Sequence, residues 1–186
     1  FDISSSAPLR GKKATHYEGG MRVPFIVSWA KPNPESEIQQ KFPVQPGVVA
    51  EDFGTILDIM PTILKLTGAR APASHSIDGQ DLSSYLATHK GAHDQTFLMH
   101  FPHDHRSSHF TVLRDGDWKL VYHYKRKKGQ RVELFNLADD ISESHDLAAK
   151  QPQKVAKLVA KMVAKLDSAG AQYSTDADGN ELRPQL

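Results

Sequence analysis

Two short stretches of this chain concentrate side chains able to do chemistry. From Pro8 to Pro24 the order is Pro-Leu-Arg-Gly-Lys-Lys-Ala-Thr-His-Tyr-Glu-Gly-Gly-Met-Arg-Val-Pro, which sets the ammonium groups of Lys12 and Lys13 just ahead of His16 and a Glu18/Arg22 pair. An ammonium is a compact point charge that can hold an anionic group and stabilise charge developing on its oxygens. Glu18 and Arg22 read as a structural ion pair that anchors the Gly19-Gly20 turn, and His16 reads as a loop or interface histidine. The second stretch is His100-Phe-Pro-His-Asp-His-Arg-Ser-Ser-His109, in a region where five of the ten histidines fall between positions 93 and 109. Neutral imidazoles bind zinc or copper, but Pro102 interrupts any regular geometry. Arg106 adds a planar fork able to grip a carboxylate or sulfate through two hydrogen bonds.

Composition narrows what can hold these groups. With 186 residues, 39% of them hydrophobic and 24% charged, the chain can bury an ordinary core, so wholly disordered, collagenous and multi-pass membrane classes are excluded. The absence of cysteine removes disulfide scaffolds, thiolate zinc sites and cysteine nucleophiles from these residues. Twenty-three basic against 22 acidic side chains leave a net charge of +1, too little for the global field that collects nucleic acid. Any anion site must therefore be local, and neither nucleic acid nor a membrane is expected as a partner. The opening Phe-Asp-Ile-Ser-Ser-Ser lacks an initiator Met and a signal-like apolar run, and reads as a cut inside a longer polypeptide.

Periodicity places the elements. Met21 to Trp29 reads as a mostly buried strand, and the four prolines between Lys31 and Gly47 mark a surface loop. Ile56, Ile59, Met60, Ile63, Leu64 and Thr67 recur at helical spacing before Gly68, a suitable left-handed cap, with Pro61 bending that helix or marking its true first turn. Asp81 can cap a short helix over 82–86. Strands follow at 96–101, 110–113, 118–124 and 132–135, the middle two joined by the hairpin signal Asp115-Gly116. From Pro152 to Leu166, Val155, Leu158, Val159, Met162 and Leu166 form one stripe and Lys154, Lys157, Lys161 and Lys165 another, which predicts an amphipathic helix on the sheet. The tail from Gly170 reads as extended or poorly ordered. Trp118 alternates with Leu120 and Tyr122 and reads as core, the basic run Lys125 to Lys128 as a solvated loop tip, and Asp176 to Asn180 as a turn rather than a calcium loop.

The Pro8 to Pro24 segment resembles the part of type I sulfatases, in the alkaline-phosphatase superfamily, where a glycine-flanked lysine precedes Tyr-Glu-Gly-Gly-x-Arg-x-Pro. Further matches come in order: Asp58-Ile-Met-Pro-Thr-Ile-Leu64 with Gly68, Asp78-Gly-Gln-Asp-Leu82, Leu113-Arg-Asp-Gly-Asp-Trp-Lys-Leu120, and Glu133-Leu-Phe-Asn-Leu-Ala-Asp-Asp140 followed by Glu143. Ser6-Ala7-Pro8-Leu9-Arg10 also fits the family's nucleophile pattern, but the lysine segment follows at once, so Ser6 reads as a loop residue. The resemblance implies an α/β protein: residues 1–93 as the closing segment of a sulfatase catalytic domain, 94–170 as an α+β C-terminal subdomain of antiparallel sheet plus helix, and 171–186 as a tail.

What the resemblance implies about function is hydrolysis of sulfate esters on a carbohydrate or aryl substrate by an exported enzyme. Its formylglycine nucleophile and its calcium ion (Ca2+) lie in an N-terminal part outside these residues, so that this portion alone is inactive. Lys13 falls on the family's sulfate-binding lysine, with Lys12 the alternative register. His100, His103, His105 and Arg106 become candidates for contacting the sugar or a second anionic group. Other readings stay open: a non-catalytic module that binds sulfated glycans through the histidine loop and Lys125 to Lys128, an interaction protein using its lysine-faced helix on acidic partners, or a phosphonate or phosphate ester hydrolase of the same superfamily.

Overall fold

The computed structural model describes residues 6–50, 53–89, 95–104, 109–125 and 131–185. It divides the chain into two compact units, one built from Phe1–Val23 with Thr96–Leu186, the other from Pro24–Gln95. This division differs from the expected boundary at residue 93, because the lysine-bearing segment folds with the C-terminal sheet rather than with the residues that follow it.

In the first unit, strands β1 (Thr96–Phe101), β2 (Phe110–Asp115), β3 (Trp118–His123) and β4 (Val132–Asn136) form an antiparallel sheet in the order β1-β2-β3-β4. Register is fixed at the hairpin between β2 and β3, where Asp115 pairs with Trp118 and Gly116 takes φ 59°, a left-handed value that costs glycine little. Helix α5 (Pro152–Ser168) opens on a proline, whose missing N–H would have no partner in a first turn anyway. Its buried residues are Val155, Leu158, Val159, Met162 and Leu166, the stripe the sequence periodicity marks. They pack on Leu113, Leu120, Tyr122 and Leu134, one face of the sheet. Burying each such side chain contributes roughly 1.5–3 kcal/mol. The lysine stripe is not wholly solvated: Lys161 Nζ lies 2.8 Å from Asp115 Oδ1, and Lys154 sits over the half-buried Trp118 ring at 4.7 Å.

The opposite face is buried too. Phe110, Val112, Val121, Phe135 and Leu137 form a second core, against which Tyr17 and Met21 pack from the lysine-bearing segment. The tail, expected to be extended or poorly ordered, is tied down instead. Thr175 bridges to Glu181, Tyr173 and Leu182 pack on the helix-side core, and the Asp176 carboxylate accepts the N–H groups of Asp178 and Asn180 to close a tight turn.

The second unit is helical, with α2 (Glu37–Lys41), a 3-10 turn at Ile56–Asp58, α3 (Ile59–Thr67) and α4 (Ser83–Thr88). Gly68 ends α3 at φ 71° as expected, and Pro61 falls in its first turn. Asp58 ties the unit together: its carboxylate accepts the N–H of Thr55 at 2.6 Å and of Gln80 at 2.8 Å. Gly79 must lie against it, since a Cβ there would meet the Leu57 carbonyl oxygen at 2.0 Å. Two expectations fail here. The prolines around 31–47 admit the short helix α2, and Met21–Trp29 is no strand, with Phe25 and Ile26 exposed. A strand needs an edge to pair with, and none of the described residues of this unit forms one.

Candidate functional site

Alternation along β3 and β4 sends Leu120, Tyr122 and Leu134 toward α5 and Lys119, His123 and Glu133 to the other face. In an ordinary sheet those polar positions would face water. Here all three are buried, and residues of the segment Ser6–Arg22 lie against them.

Lys119 is 0% exposed, and its Nζ lies 2.8 Å from both Glu18 Oε1 and Glu143 Oε1. The second oxygen of Glu18 accepts from Arg22 Nε at 2.6 Å, and the second oxygen of Glu143 accepts the Glu18 backbone N–H at 2.6 Å. Two carboxylates and two cations thus balance within one contact network. Burial works against ionisation of Glu18, but Lys119 and Arg22 together hold its carboxyl below the usual value. Burial pushes Glu143 upward, against the pull of Lys119. Arg10 adds a second clamp, donating from Nη1 to the Glu143 carbonyl at 3.0 Å while its guanidinium stacks 3.7 Å from the centre of the Tyr17 ring.

This network fixes one helical turn, α1 (Glu18–Met21), and the loop before it. The close approach demands glycine at positions 19 and 20: a Cβ on Gly19 would meet the Arg10 carbonyl oxygen at 2.7 Å, and one on Gly20 the Thr15 carbonyl oxygen at 2.4 Å. Upstream, Thr15 N–H donates to the Lys12 carbonyl at 3.0 Å with Ala14 at φ 70°, a turn of type II character that carries Lys13 at its corner. Lys13 is exposed and makes no ion pair among the described residues. Its neighbours Ala14 and Thr15 form one wall of a cleft of about 270 Å³, whose other wall includes Phe97, Met99 and Phe101 of β1.

The expected substrate-contacting residues separate. His103 is exposed and stands edge-on to Phe101, 5.5 Å between ring centres, beyond that cleft wall. His100 falls on the opposite sheet face: its Nδ1 lies 2.7 Å from Thr111 Oγ1 and its Nε2 2.8 Å from the Gln172 carbonyl, so both ring nitrogens are engaged and Lys13 is not its neighbour. His105, Arg106 and the run 126–128 lie outside the described residues. Ser6 Oγ donates to the Gly19 carbonyl at 3.0 Å, the loop role read from its context. The Glu18/Arg22 pair is present as expected.

The sequence reading assigns no role to Lys119, Glu143, Arg10, His123 or Glu133. His16, read as a loop or interface histidine, is buried; that burial, with His123, Lys119 and Arg10 adding to it against the pull of Glu133, lowers its pKa to about 3. Among the described residues the acidic and imidazole side chains that converge as a group are His16, His123 and Glu133, which offer two nitrogens and one carboxylate. Calcium takes about six to eight oxygens, so the calcium ion implied by the resemblance does not fit these residues.

The model of the family described as N-sulphoglucosamine sulphohydrolase, C-terminal, matches residues 12–172. A sulfatase of Formosa agariphila is 31% identical over 182 residues, covering 88% of this chain and 29% of that protein. The steryl-sulfatase of Homo sapiens is 34% identical over 97 residues, 52% of this chain and 15% of that one. Two solved structures share the fold. BT4656, in complex with its substrate D-glucosamine-2-N,6-O-disulfate, gives a TM-score of 0.55 at 18% identity over 68% of this chain and 26% of its own. The putative sulfatase yidJ of Bacteroides fragilis gives 0.51 at 22% identity over 61% and 25%. The chain thus spans less than a third of the length of these relatives.

The loop that delivers Glu143 yields a pH prediction. The Asp140 carboxylate accepts from the His145 N–H at 2.8 Å and the Ser142 and Ser144 hydroxyls at 2.9 and 3.1 Å; these bonds outweigh its partial burial and lower its pKa from 3.8 to about 2. A carboxyl depressed by folding stabilises the chain above its unfolded value and loses that contribution as pH falls toward the folded one. Asp140→Asn is therefore expected to be less stable than wild type at pH 6, with the gap closing between about pH 4 and pH 2. Urea unfolding across that range checks it, and a gap that stays constant with pH would count against the assignment.

Proposed function

The chain belongs to the N-sulphoglucosamine sulphohydrolase C-terminal family, a sulfatase C-terminal region, and from that premise we propose that it completes an enzyme hydrolysing sulfate esters on a carbohydrate or aryl substrate, with Lys13 as the sulfate-binding cation. The observation that carries this reading is the contrast between Lys13 and its support. The side chain is exposed and without an ion pair among the described residues, yet the turn beneath it is fastened by a fully buried ammonium and two glutamates. An exposed, unclaimed charge on a rigid mount is preorganised to meet an anion, and little reorganisation is then required when negative charge grows on ester oxygens.

In this role Lys13 donates N–H groups to sulfate oxygens, holding the ester in place and stabilising charge as the sulfur–oxygen bond to the alcohol breaks. The nucleophile belongs to the N-terminal part of the same enzyme, which is the partner proposed here, and the enzyme is exported. Exposed apolar side chains in the Pro24–Gln95 unit, with Ile26 at 87% and Val49 at 89%, support a large further surface to be covered. His103 beyond the cleft wall is the contact proposed for the rest of the substrate, with His105 and Arg106 of the same loop. His100, with both nitrogens engaged, can take part only by giving up those bonds.

The test has two arms. The 186-residue chain alone should not hydrolyse an aryl sulfate, whereas the intact sulfatase carrying it should. Within the intact enzyme, Lys13→Ala is expected to lower kcat/KM by about 10²-fold or more without changing the melting temperature. Turnover by the chain alone, or a Lys13→Ala enzyme as fast as wild type, overturns the reading; a loss found instead in Lys12→Ala moves the role by one residue.

A further inference from the structure

Beneath the lysine loop lie three side chains that sulfate-ester chemistry leaves unused. His16 comes from the loop, His123 from β3 and Glu133 from β4, and one potential ligand atom from each lies within 4.8 Å of the others. All three are buried. His123 Nε2 and Glu133 Oε2 are 2.7 Å apart, and the Tyr17 hydroxyl reaches both Glu133 oxygens at 3.1 and 3.3 Å. His16 differs. It is only 7% exposed, and neither Nδ1 nor Nε2 has a hydrogen-bond partner among the described residues.

Burying a polar atom without a partner is costly, so an orphaned ring beside a paired histidine and glutamate calls for an occupant. Ring packing holds His16 in place, with ring centres 4.1 Å from Tyr17, 4.8 Å from Phe110 and 5.1 Å from His123, but packing satisfies neither nitrogen. Two imidazoles and one carboxylate are a donor set for zinc and its first-row neighbours. We propose that His16, His123 and Glu133 bind a divalent ion of the zinc type, which pins the Lys13-bearing segment to β3 and β4.

The geometry is close to what such an ion requires. Bonds of about 2.0–2.2 Å in a tetrahedron set ligand atoms roughly 3.3–3.6 Å apart, so His16 must draw in by on the order of 1 Å while the His123–Glu133 pair, 2.7 Å apart, opens by somewhat less as the ion replaces their hydrogen bond. Tyr17 is placed to orient the Glu133 carboxylate from the outer shell. Two cations oppose the ion: Arg10, 3.8 Å from Glu133 Oε1, and the Lys119 ammonium, whose charge also reaches His16. The Lys119 charge is balanced by Glu18 and Glu143. Arg10 can keep its bond to the Glu143 carbonyl while Glu133 shares its other oxygen with the ion.

The full chain, free of any histidine tag and stripped with chelator, is titrated with zinc chloride by calorimetry and with cobalt chloride by visible absorption. One ion per chain is expected, with a tetrahedral cobalt spectrum and a zinc-dependent rise in melting temperature. His16→Gln should weaken zinc at least about tenfold and abolish the thermal shift, whereas His145→Gln, altering an exposed ring, should leave both unchanged. Because the His16 ring makes no hydrogen bond among the described residues, its variant should keep the wild-type circular dichroism, and that measurement separates lost binding from lost folding. Absence of zinc binding by the wild type, or equal binding by His16→Gln, overturns the proposal.

Discussion

A lysine with no solvent exposure, held between two glutamates from distant parts of the chain, is the constraint on which this structure depends. Lys119 lies on β3, Glu18 in the segment that carries Lys13, and Glu143 in the loop after β4. Desolvating an ion costs several kcal/mol, so the arrangement survives only with every partner present; removing one leaves an uncompensated buried charge at a cost of about 3–5 kcal/mol. Apolar packing by Tyr17 and Met21 alone would tolerate sliding. The ion pairs admit one position, and the clamp from Arg10 to the Glu143 carbonyl shares that register. Charge here supplies placement more than it supplies net stability.

The sheet makes such a placement possible by burying both faces. Toward α5 the side chains are apolar and interdigitate with the helix stripe. Toward the lysine segment, aromatic and aliphatic residues are interrupted by Lys119, His123 and Glu133, each met by a group from the segment: Glu18, the His16 ring and the Tyr17 hydroxyl. The glycines at 19 and 20 let the backbone come near enough for those contacts. The segment bearing the exposed Lys13 is thereby held at a fixed corner, which is what the sulfate-binding role proposed for it would require.

Much of this was legible in the sequence. Periodicity located α5 and its buried stripe, and the Asp-Gly signal located the hairpin, because both depend on local rules. The ordered motifs pointed to the family, and the structure gives several of them a physical reason: Asp58 and Gly79 close one junction, while Glu18, Lys119 and Glu143 close another. What could not be read was the meaning of alternation along β3 and β4. Lys119, His123 and Glu133 share that face with Val121 and Phe135, a mixture that a half-exposed face carries equally well, and only a non-local segment covering it turns it into an interior. The same limit explains Met21–Trp29, whose composition asks for a strand while the Pro24–Gln95 unit that holds most of it supplies no edge among its described residues. It also explains His100, whose place on the far face follows from a register that histidine spacing does not encode.

Hydrogen exchange on a Lys119→Met variant tests the central claim most directly, since methionine keeps the volume and removes the charge. If the buried ammonium fastens the loop, the amides of Glu18 and Gly19, which donate to Glu143 and to the Arg10 carbonyl, will lose protection while α5 keeps it. Undiminished protection at those two amides, with the helix equally intact, would contradict the account.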